Sequence, residues 1–355
     1  MTILNKNVRV EDLPEFDDHE EVIFFSDKKT GLKSIVAIHS TILGPATGGT
    51  RCFEYRSEVD AVRDALRLSR SMTYKCALAG VPFGGGKGVI ILGHGKTKSK
   101  AVIRAYARNI ETLHGRFSTG EDVGLTEYDV SEMEKVSSHI NGPKHAGELG
   151  PWAALGVFSA MKAGLKEVYG TTSFEDRTVA IKGVGKVGSE LLRLIYESGG
   201  RVVIADIDAK KVKEMKRRYG VKIVSPKSIH RERADIYAPC ALGNEFTPEN
   251  ENEIQAKIIC GAANNQLTDP AIAERFRKKG ILYLPDYVVN AGGLINAVSH
   301  LVHKKGRKAW VQRKVLGIAK TITRLIAKSK KSRHSLSTVS DHMAEAILRK
   351  KAYKR

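Results

Sequence analysis

The feature that most constrains the fold is a six-residue run, Gly183-Val184-Gly185-Lys186-Val187-Gly188, between an apolar β-like segment at 178–182 and a helical pattern at 186–198. Glycine is common, so the spacing alone says little. Its setting says more, because Asp206 closes the next apolar segment, 23 residues beyond Gly183. Strand, glycine turn, helix, and a strand ending in a carboxylate make up the βαβ unit that binds dinucleotides. In such a unit Gly183 allows the tight turn, Gly185 lets a pyrophosphate approach the backbone, and Gly188 lets helix and strand pack closely. Val184, Lys186, Val187 and Ser189 complete the loop and first helical turn, whose unpaired N–H groups favour an anion. Asp206 can accept hydrogen bonds from both ribose hydroxyls and repels a 2′-phosphate, which predicts NAD over NADP. Lys210 and Lys211 soften that preference, and a plain βα turn without ligand is the alternative.

Around this motif, helical patterns at 152–168, 186–198 and 209–219 alternate with strand-like segments at 178–182, 201–206 and near 236 and 258. Such alternation predicts a parallel, doubly wound sheet. The earlier part of the chain is mixed. It reads as a strand at 34–38, a turn at 44–49, a helix at 58–72, a break at 82–86, a strand at 89–92 and a helix at 100–113. A Gly/Pro-rich polar stretch at 141–151 marks a hinge, and 355 residues suit two domains. Residues 310–328 read as one amphipathic helix.

The net charge of +20 raises the question of a nucleic-acid partner. Residues 304–355 hold 17 Lys or Arg against Asp341 and Glu345, whereas residues 1–303 hold 42 basic and 37 acidic residues. The body is nearly neutral, with no recognition helix or aromatic-basic surface, which argues against nucleic acid as the principal partner. No apolar run approaches membrane-spanning length, and the N-terminus does not read as a signal peptide. The four cysteines have neither close pairing nor metal-ligand spacing. They read as buried thiols of a cytoplasmic protein without a metal site.

Three further segments carry chemistry: Met72-Thr73-Tyr74-Lys75 at a helix end, Gly84-Gly85-Gly86-Lys87-Gly88 before an apolar strand, and Gly120-Glu121-Asp122-Val123-Gly124 in a polar turn. Consecutive glycines cost backbone entropy and make sense where the chain comes close to a ligand. A lysine among them can lie desolvated beside a second cation, such as Lys75, that lowers its pKa. Asp122 can exchange protons with an amine. Each residue has an ordinary reading too: a helix C-cap for Lys75, a surface lysine for Lys87, a turn cap for Asp122. Spacing alone leaves both open.

With Leu43-Gly44-Pro45-Ala46-Thr47-Gly48-Gly49-Thr50-Arg51, Ala238 to Gly243, Asn264-Asn265-Gln266-Leu267 and Pro285 to Gly293, these segments resemble the glutamate/leucine/phenylalanine/valine dehydrogenase family, most of all its leucine dehydrogenase branch. The likeness runs in order from about Val22 to Ala297. It implies an α/β fold of two domains. The first, 1–143 plus about 330–355, would bind substrate and form a homo-oligomer; the second, 144–329, would be a Rossmann-type NAD-binding domain. It also implies reversible, NAD-dependent oxidative deamination of an amino acid to a 2-oxo acid and ammonium, in a cleft that closes between the domains. By the same resemblance Lys75 binds the substrate carboxylate, Lys87 is the general base on water, and Asp122 handles protons at nitrogen. Asn265 lies near substrate and nicotinamide.

Glutamate-specific members carry lysine where this chain has Thr47 and serine where it has Ala297, so an acidic side chain would bury an unpaired charge. The resemblance lines the pocket with Leu43, Gly44, Met72, Gly120, Leu294 and Ala297, which suits leucine, valine or isoleucine. Gly120 and Ala297 are smaller than usual, leaving a phenylalanine-type substrate as the alternative. Two departures concern the cofactor. Ala153 replaces a threonine that contacts the nicotinamide, and Glu148-Leu149-Gly150 replaces an Asn-Pro-Ser stretch. A catalytically degenerate, dinucleotide-binding regulatory member is the reading they leave open.

Overall fold

A computed structural model of the chain describes residues 3–5, 8–95, 97–142, 147–303 and 306–353. It divides into two compact units, Met1–Gly147 with Ala344–Arg355, and Glu148–Met343. The expected boundary at 143/144 lies outside the described residues. The chain rejoins the first unit at Ala344, later than the expected 330.

The first unit opens with the short antiparallel pair β1 (Ile3–Asn5) and β2 (Val8–Arg9). Its body is a five-stranded mixed sheet of β3 (Glu21–Asp27), β4 (Leu32–Ser40), β5 (Ala46–Glu54), β6 (Gly84–Leu92) and β7 (Phe117–Glu121), ordered β3-β4-β6-β5-β7. The β3–β4 and β4–β6 pairs are antiparallel; β5 runs parallel to both β6 and β7. Helices α1 (Glu58–Ala79), α2 (Lys100–Glu111) and α3 (Glu127–Glu134) complete it. Side chains alternate along the strands. Ile35, Ala37 and Val89 therefore join Ala61, Val62, Ala65 and Leu66 of α1 in one core, while Val36, Ile38 and Ile90 join Ile103, Tyr106 and Ile110 of α2 in another.

Three local expectations change here. The break at 82–86 is largely strand, since β6 begins at Gly84, and the turn at 44–49 gives way to β5 at Ala46. Tertiary packing explains the glycines. A Cβ at Gly85 would lie 2.0 Å from the Thr73 nitrogen on α1, and one at Gly88 would lie 2.0 Å from the Tyr106 hydroxyl on α2. Helix α1 also runs past Lys75 to Ala79, stopping where Gly80 adopts a left-handed φ of 62°.

In the second unit six parallel strands, β8 (Thr178–Lys182), β9 (Arg201–Ala205), β10 (Lys222–Ile223), β11 (Ile236–Pro239), β12 (Ile258–Ile259) and β13 (Leu282–Tyr283), take the order β10-β9-β8-β11-β12-β13. The helices are α4 (Gly150–Tyr169), α5 (Lys186–Glu197), α6 (Ala209–Tyr219), α7 (Ala271–Lys278), α8 (Asp286–Val289), α9 (Gly292–Val302), α10 (Arg307–Leu316), α11 (Ile318–Ser332) and the first part of α12 (Leu336–Ala352), which from Ala344 belongs to the first unit. This is the doubly wound Rossmann order, in which the strand order reverses between β8 and β11 while every strand stays parallel. The single helix expected at 310–328 is two, separated at Gly317, the one glycine in that run and a poor helix former. Among the described residues no helix is long and apolar enough to cross a membrane.

Candidate active site

The register of the first sheet brings two distant ionisable residues together. Thr50 on β5 pairs with Gly88 on β6 and with Glu121 on β7, so the residues adjacent to those partners, Lys87 and Asp122, flank one strand. Lys87 Nζ donates to Asp122 Oδ2 at 2.5 Å, with the lysine side chain only 7 % exposed. Lys87 is therefore no surface lysine. Gly49 makes room for this pair, because a Cβ there would stand 2.9 Å from the Asp122 Cβ.

A residue not singled out from sequence completes the group. Arg51 Nε lies 3.3 Å from the same Asp122 oxygen, and its Nη1 donates to Asp64 Oδ2 at 2.8 Å. The Tyr55 hydroxyl donates to Asp64 at 2.8 Å. Burial alone would raise the Asp122 pKa, but Lys87 and then Arg51 outweigh it and hold the carboxyl at about 2. The guanidinium is held charged in turn, since Asp122 and Asp64 overcome its own desolvation. Parity along the strands could have flagged Arg51, which lies one residue beyond Thr50, yet only the β5–β7 pairing tells which carboxylate it reaches.

Met72 and Lys75 occupy successive turns of α1, Lys75 half-buried and Met72 against Gly48, where a Cβ would lie 3.3 Å from Met72 Cγ. Leu43 and Gly44 lead into β5. Buried Thr47 accepts from the Ser118 hydroxyl at 3.1 Å and from Asn141 Nδ2 at 3.4 Å, a neutral cluster. Gly120 needs reinterpretation. A Cβ there would lie 2.7 Å from the Asn141 carbonyl oxygen, so backbone already fills the space that a side chain would take. Its smallness does not enlarge a pocket.

In the second unit, Gly183 adopts φ +96° at the end of β8, and a Cβ at Gly188 would lie 1.9 Å from the Gly183 carbonyl oxygen. Both glycines are required by the protein's own packing. Gly185 is not, since a Cβ there would meet no protein atom within 4 Å. It caps α5 without a side-chain hydrogen bond, leaving helix N–H groups open to an anion. Asp206 accepts from Val184 N at 2.7 Å through one oxygen and from Asp208 N at 2.9 Å through the other. Each carboxylate oxygen keeps a further lone pair for a hydroxyl. The loop thus fits a dinucleotide.

Asn265 lies beyond β12 with a left-handed φ of 52°, an uncommon backbone state that functional loops retain. Its carbonyl accepts from Asn244 N at 2.7 Å. Leu294 and Ala297, three residues apart on α9, are half-buried. Ala153, near the start of α4, lies with its Cβ 3.8 Å from where a Cβ on Gly293 would be. Leu149 caps α4 with no side-chain hydrogen bond. The described residues thus bring Lys87, Asp122 and Arg51 into contact, while Asn265, Leu294 and Ala297 belong to the other unit.

The two units together define a class of protein, the nicotinamide-dependent dehydrogenases. Residues 19–139 match the Glu/Leu/Phe/Val dehydrogenase dimerisation domain, and residues 204–354 match the Glutamate/Leucine/Phenylalanine/Valine dehydrogenase domain. The leucine dehydrogenase of Bacillus subtilis (strain 168) is 41 % identical over 332 residues, covering 92 % of this chain and 91 % of its own. The phenylalanine dehydrogenase of Thermoactinomyces intermedius is 44 % identical over 289 residues, 80 % of this chain and 79 % of its own. The crystal structure of L-tryptophan dehydrogenase from Nostoc punctiforme superposes with a TM-score of 0.82 at 38 % identity, over 95 % of this chain and 97 % of that one. The chain belongs to the glutamate/leucine/phenylalanine/valine dehydrogenase family and is an amino-acid dehydrogenase, an oxidoreductase.

Proposed function

We propose that the chain catalyses reversible oxidative deamination of a small apolar L-amino acid, with leucine, valine and isoleucine as substrates and NAD as acceptor. The observation that carries this reading is the buried Lys87–Asp122 pair. Amino acid, NAD⁺ and water yield 2-oxo acid, ammonium, NADH and a proton. The 183–188 loop and Asp206 would hold the dinucleotide, which would supply the hydride acceptor for the substrate Cα hydrogen.

The rest is work for the chain's own side chains. Lys75 binds the substrate carboxylate. Lys87 takes a proton from the water that attacks the iminium carbon, and Asp122 accepts and returns protons at the substrate nitrogen. Release of a proton overall favours deamination at alkaline pH. The Thr47–Ser118–Asn141 cluster supports an apolar side chain, because among the described residues the side-chain partners of Thr47 are a hydroxyl and an amide, both neutral. Asp206 supports NAD, its charge opposing a 2′-phosphate. The matched dimerisation domain supports a homo-oligomer, and four free thiols suit a reducing cytoplasm.

A second reading is an aromatic substrate, favoured by the tryptophan and phenylalanine dehydrogenases among the relatives and by the small Ala297. The test is turnover by the purified chain across all amino acids with NAD⁺ or NADP⁺, followed by reduced-nucleotide absorbance at alkaline pH. Branched-chain amino acids with NAD⁺ should be best. Faster turnover of phenylalanine or tryptophan would select the second reading. Dinucleotide binding without any turnover would instead mark a regulatory protein.

A further inference from the structure

Residues 287–340 contain no Asp or Glu and twelve Lys or Arg. The helices α10 and α11 lie within this stretch, and their apolar faces are spent on the second unit's core. Trp310, Val311, Val315, Ile318, Ile322, Leu325 and Ile326 are all buried. What remains outside is cationic. Lys308, Arg313, Lys320, Arg324, Lys328 and Lys331 are exposed, and none has a carboxylate within 4.0 Å among the described residues. Lys320, Arg324 and Lys328 follow one another at four-residue intervals, which sets them about 6 Å apart along one line of α11. Arg313 and Lys320 line the same shallow depression over Gly317, carrying the line of charge across the junction onto α10.

We infer that this α10–α11 face docks the phosphodiester backbone of duplex nucleic acid, without sequence preference and apart from the dehydrogenase site. A row of unneutralised cations on a rigid helix complements closely spaced phosphates, and binding is driven by release of their counterions. Three features select the occupant. A membrane-surface helix inserts its apolar face, and here that face is buried in the unit's core. Single strands are held by stacking on exposed aromatic rings, and the tryptophan of these helices, Trp310, is 8 % exposed. Sequence reading needs side chains held against base edges inside a groove, whereas a line of exposed Lys and Arg along a helix face meets phosphates, which carry no sequence information directly. The near-neutral body of the chain stays consistent with this, because the charge is concentrated on one surface.

The experiment titrates the full chain into a labelled mixed-sequence DNA duplex of about two helical turns, follows anisotropy, and repeats the titration between 50 and 200 mM salt. Four phosphate contacts predict a slope of log K against log salt near −3.6, or roughly a hundred-fold loss over that range. The combined variant Arg313→Gln/Lys320→Gln/Arg324→Gln/Lys328→Gln should abolish both binding and slope while melting at the wild-type temperature. A matched variant on α6, Lys213→Gln/Lys216→Gln/Arg217→Gln/Arg218→Gln, removes the same charge elsewhere and should bind duplex nearly as wild type. Absence of duplex binding at 50 mM salt would overturn the inference. So would equal losses in the two variants, which would make net charge the cause, or tighter binding to phosphatidylserine vesicles or to a single strand than to the duplex.

Discussion

Glycine runs in the two units look alike in sequence and serve opposite ends. In the 183–188 loop, Gly185 faces open space, and the backbone is bare where something outside the chain can approach. In β6 every glycine from Gly84 to Gly88 is pressed by protein: the Ser40 carbonyl, the Thr73 backbone, the Phe117 ring and the Tyr106 hydroxyl all stand within 2.6 Å of where a Cβ would be. Those glycines let strand and helices close on one another, and Lys87 is carried into the interior as a result. A run of glycines therefore marks ligand approach only where no neighbour claims the space.

The comparison predicts that the units can be disabled separately. Lys87→Met should lower turnover by about 10²–10⁴-fold, the range for loss of a general acid–base group, with dinucleotide affinity measured by fluorescence titration unchanged. An equal fall in affinity would dissolve the division of labour.

Arg51→Met probes the first unit more finely and should cost about ten- to a hundred-fold in kcat. Arg51 helps hold the Asp122 pKa down at about 2 against an ordinary 3.8. The stability that follows from a depressed carboxyl is present above about 4 and lost as pH falls toward about 2. Without the guanidinium the carboxyl titrates higher, so both the acid limb of kcat/KM and the acid-unfolding midpoint should move up. Arg51→Lys should restore part of each. A variant with lower kcat and an unmoved acid limb would leave Arg51 a packing role only.

The second unit was legible from sequence because its motif is contiguous: strand, turn, helix and carboxylate follow one another, and the local hydrogen bonds of Val184 and Asp206 close within that span. The first site is not local. Lys87, Asp122 and Arg51 come from three strands whose order, β6-β5-β7, differs from their order in the chain. No periodicity within one segment reports that pairing. Local sequence offered Lys87 and Asp122 only as candidates and family resemblance chose between their readings, but it left Arg51 as an unassigned letter of a motif. It also read Gly120 by size, when the Asn141 carbonyl is what demands it.

Paired alanine substitutions put the two kinds of glycine in direct opposition. Gly85→Ala must displace the Thr73 backbone and should destabilise the chain by about 1–3 kcal/mol, read as a shift of the denaturation midpoint. Gly185→Ala meets no neighbour at φ −73°, so stability should hold within about 0.5 kcal/mol. Its cost should fall on the dinucleotide, whose Kd should rise roughly tenfold, equivalent to about 1.4 kcal/mol. If the two variants lost stability alike, the open space at Gly185 would have no functional meaning.

The smallest effect on catalysis is expected at Gly120. If this glycine widened a substrate pocket, Gly120→Ala would favour valine over larger side chains by the ~1–3 kcal/mol that one methylene-sized change commands. The geometry argues otherwise, since the new methyl would collide with the Asn141 carbonyl 2.7 Å away. The substituted chain should therefore melt lower while its ratio of kcat/KM between leucine and valine changes by less than about threefold, under 1 kcal/mol. Selectivity should respond instead at Ala297, a half-buried position on α9. A strong change in the leucine-to-valine ratio with unchanged stability would return Gly120 to the pocket wall and make its glycine a matter of substrate size after all.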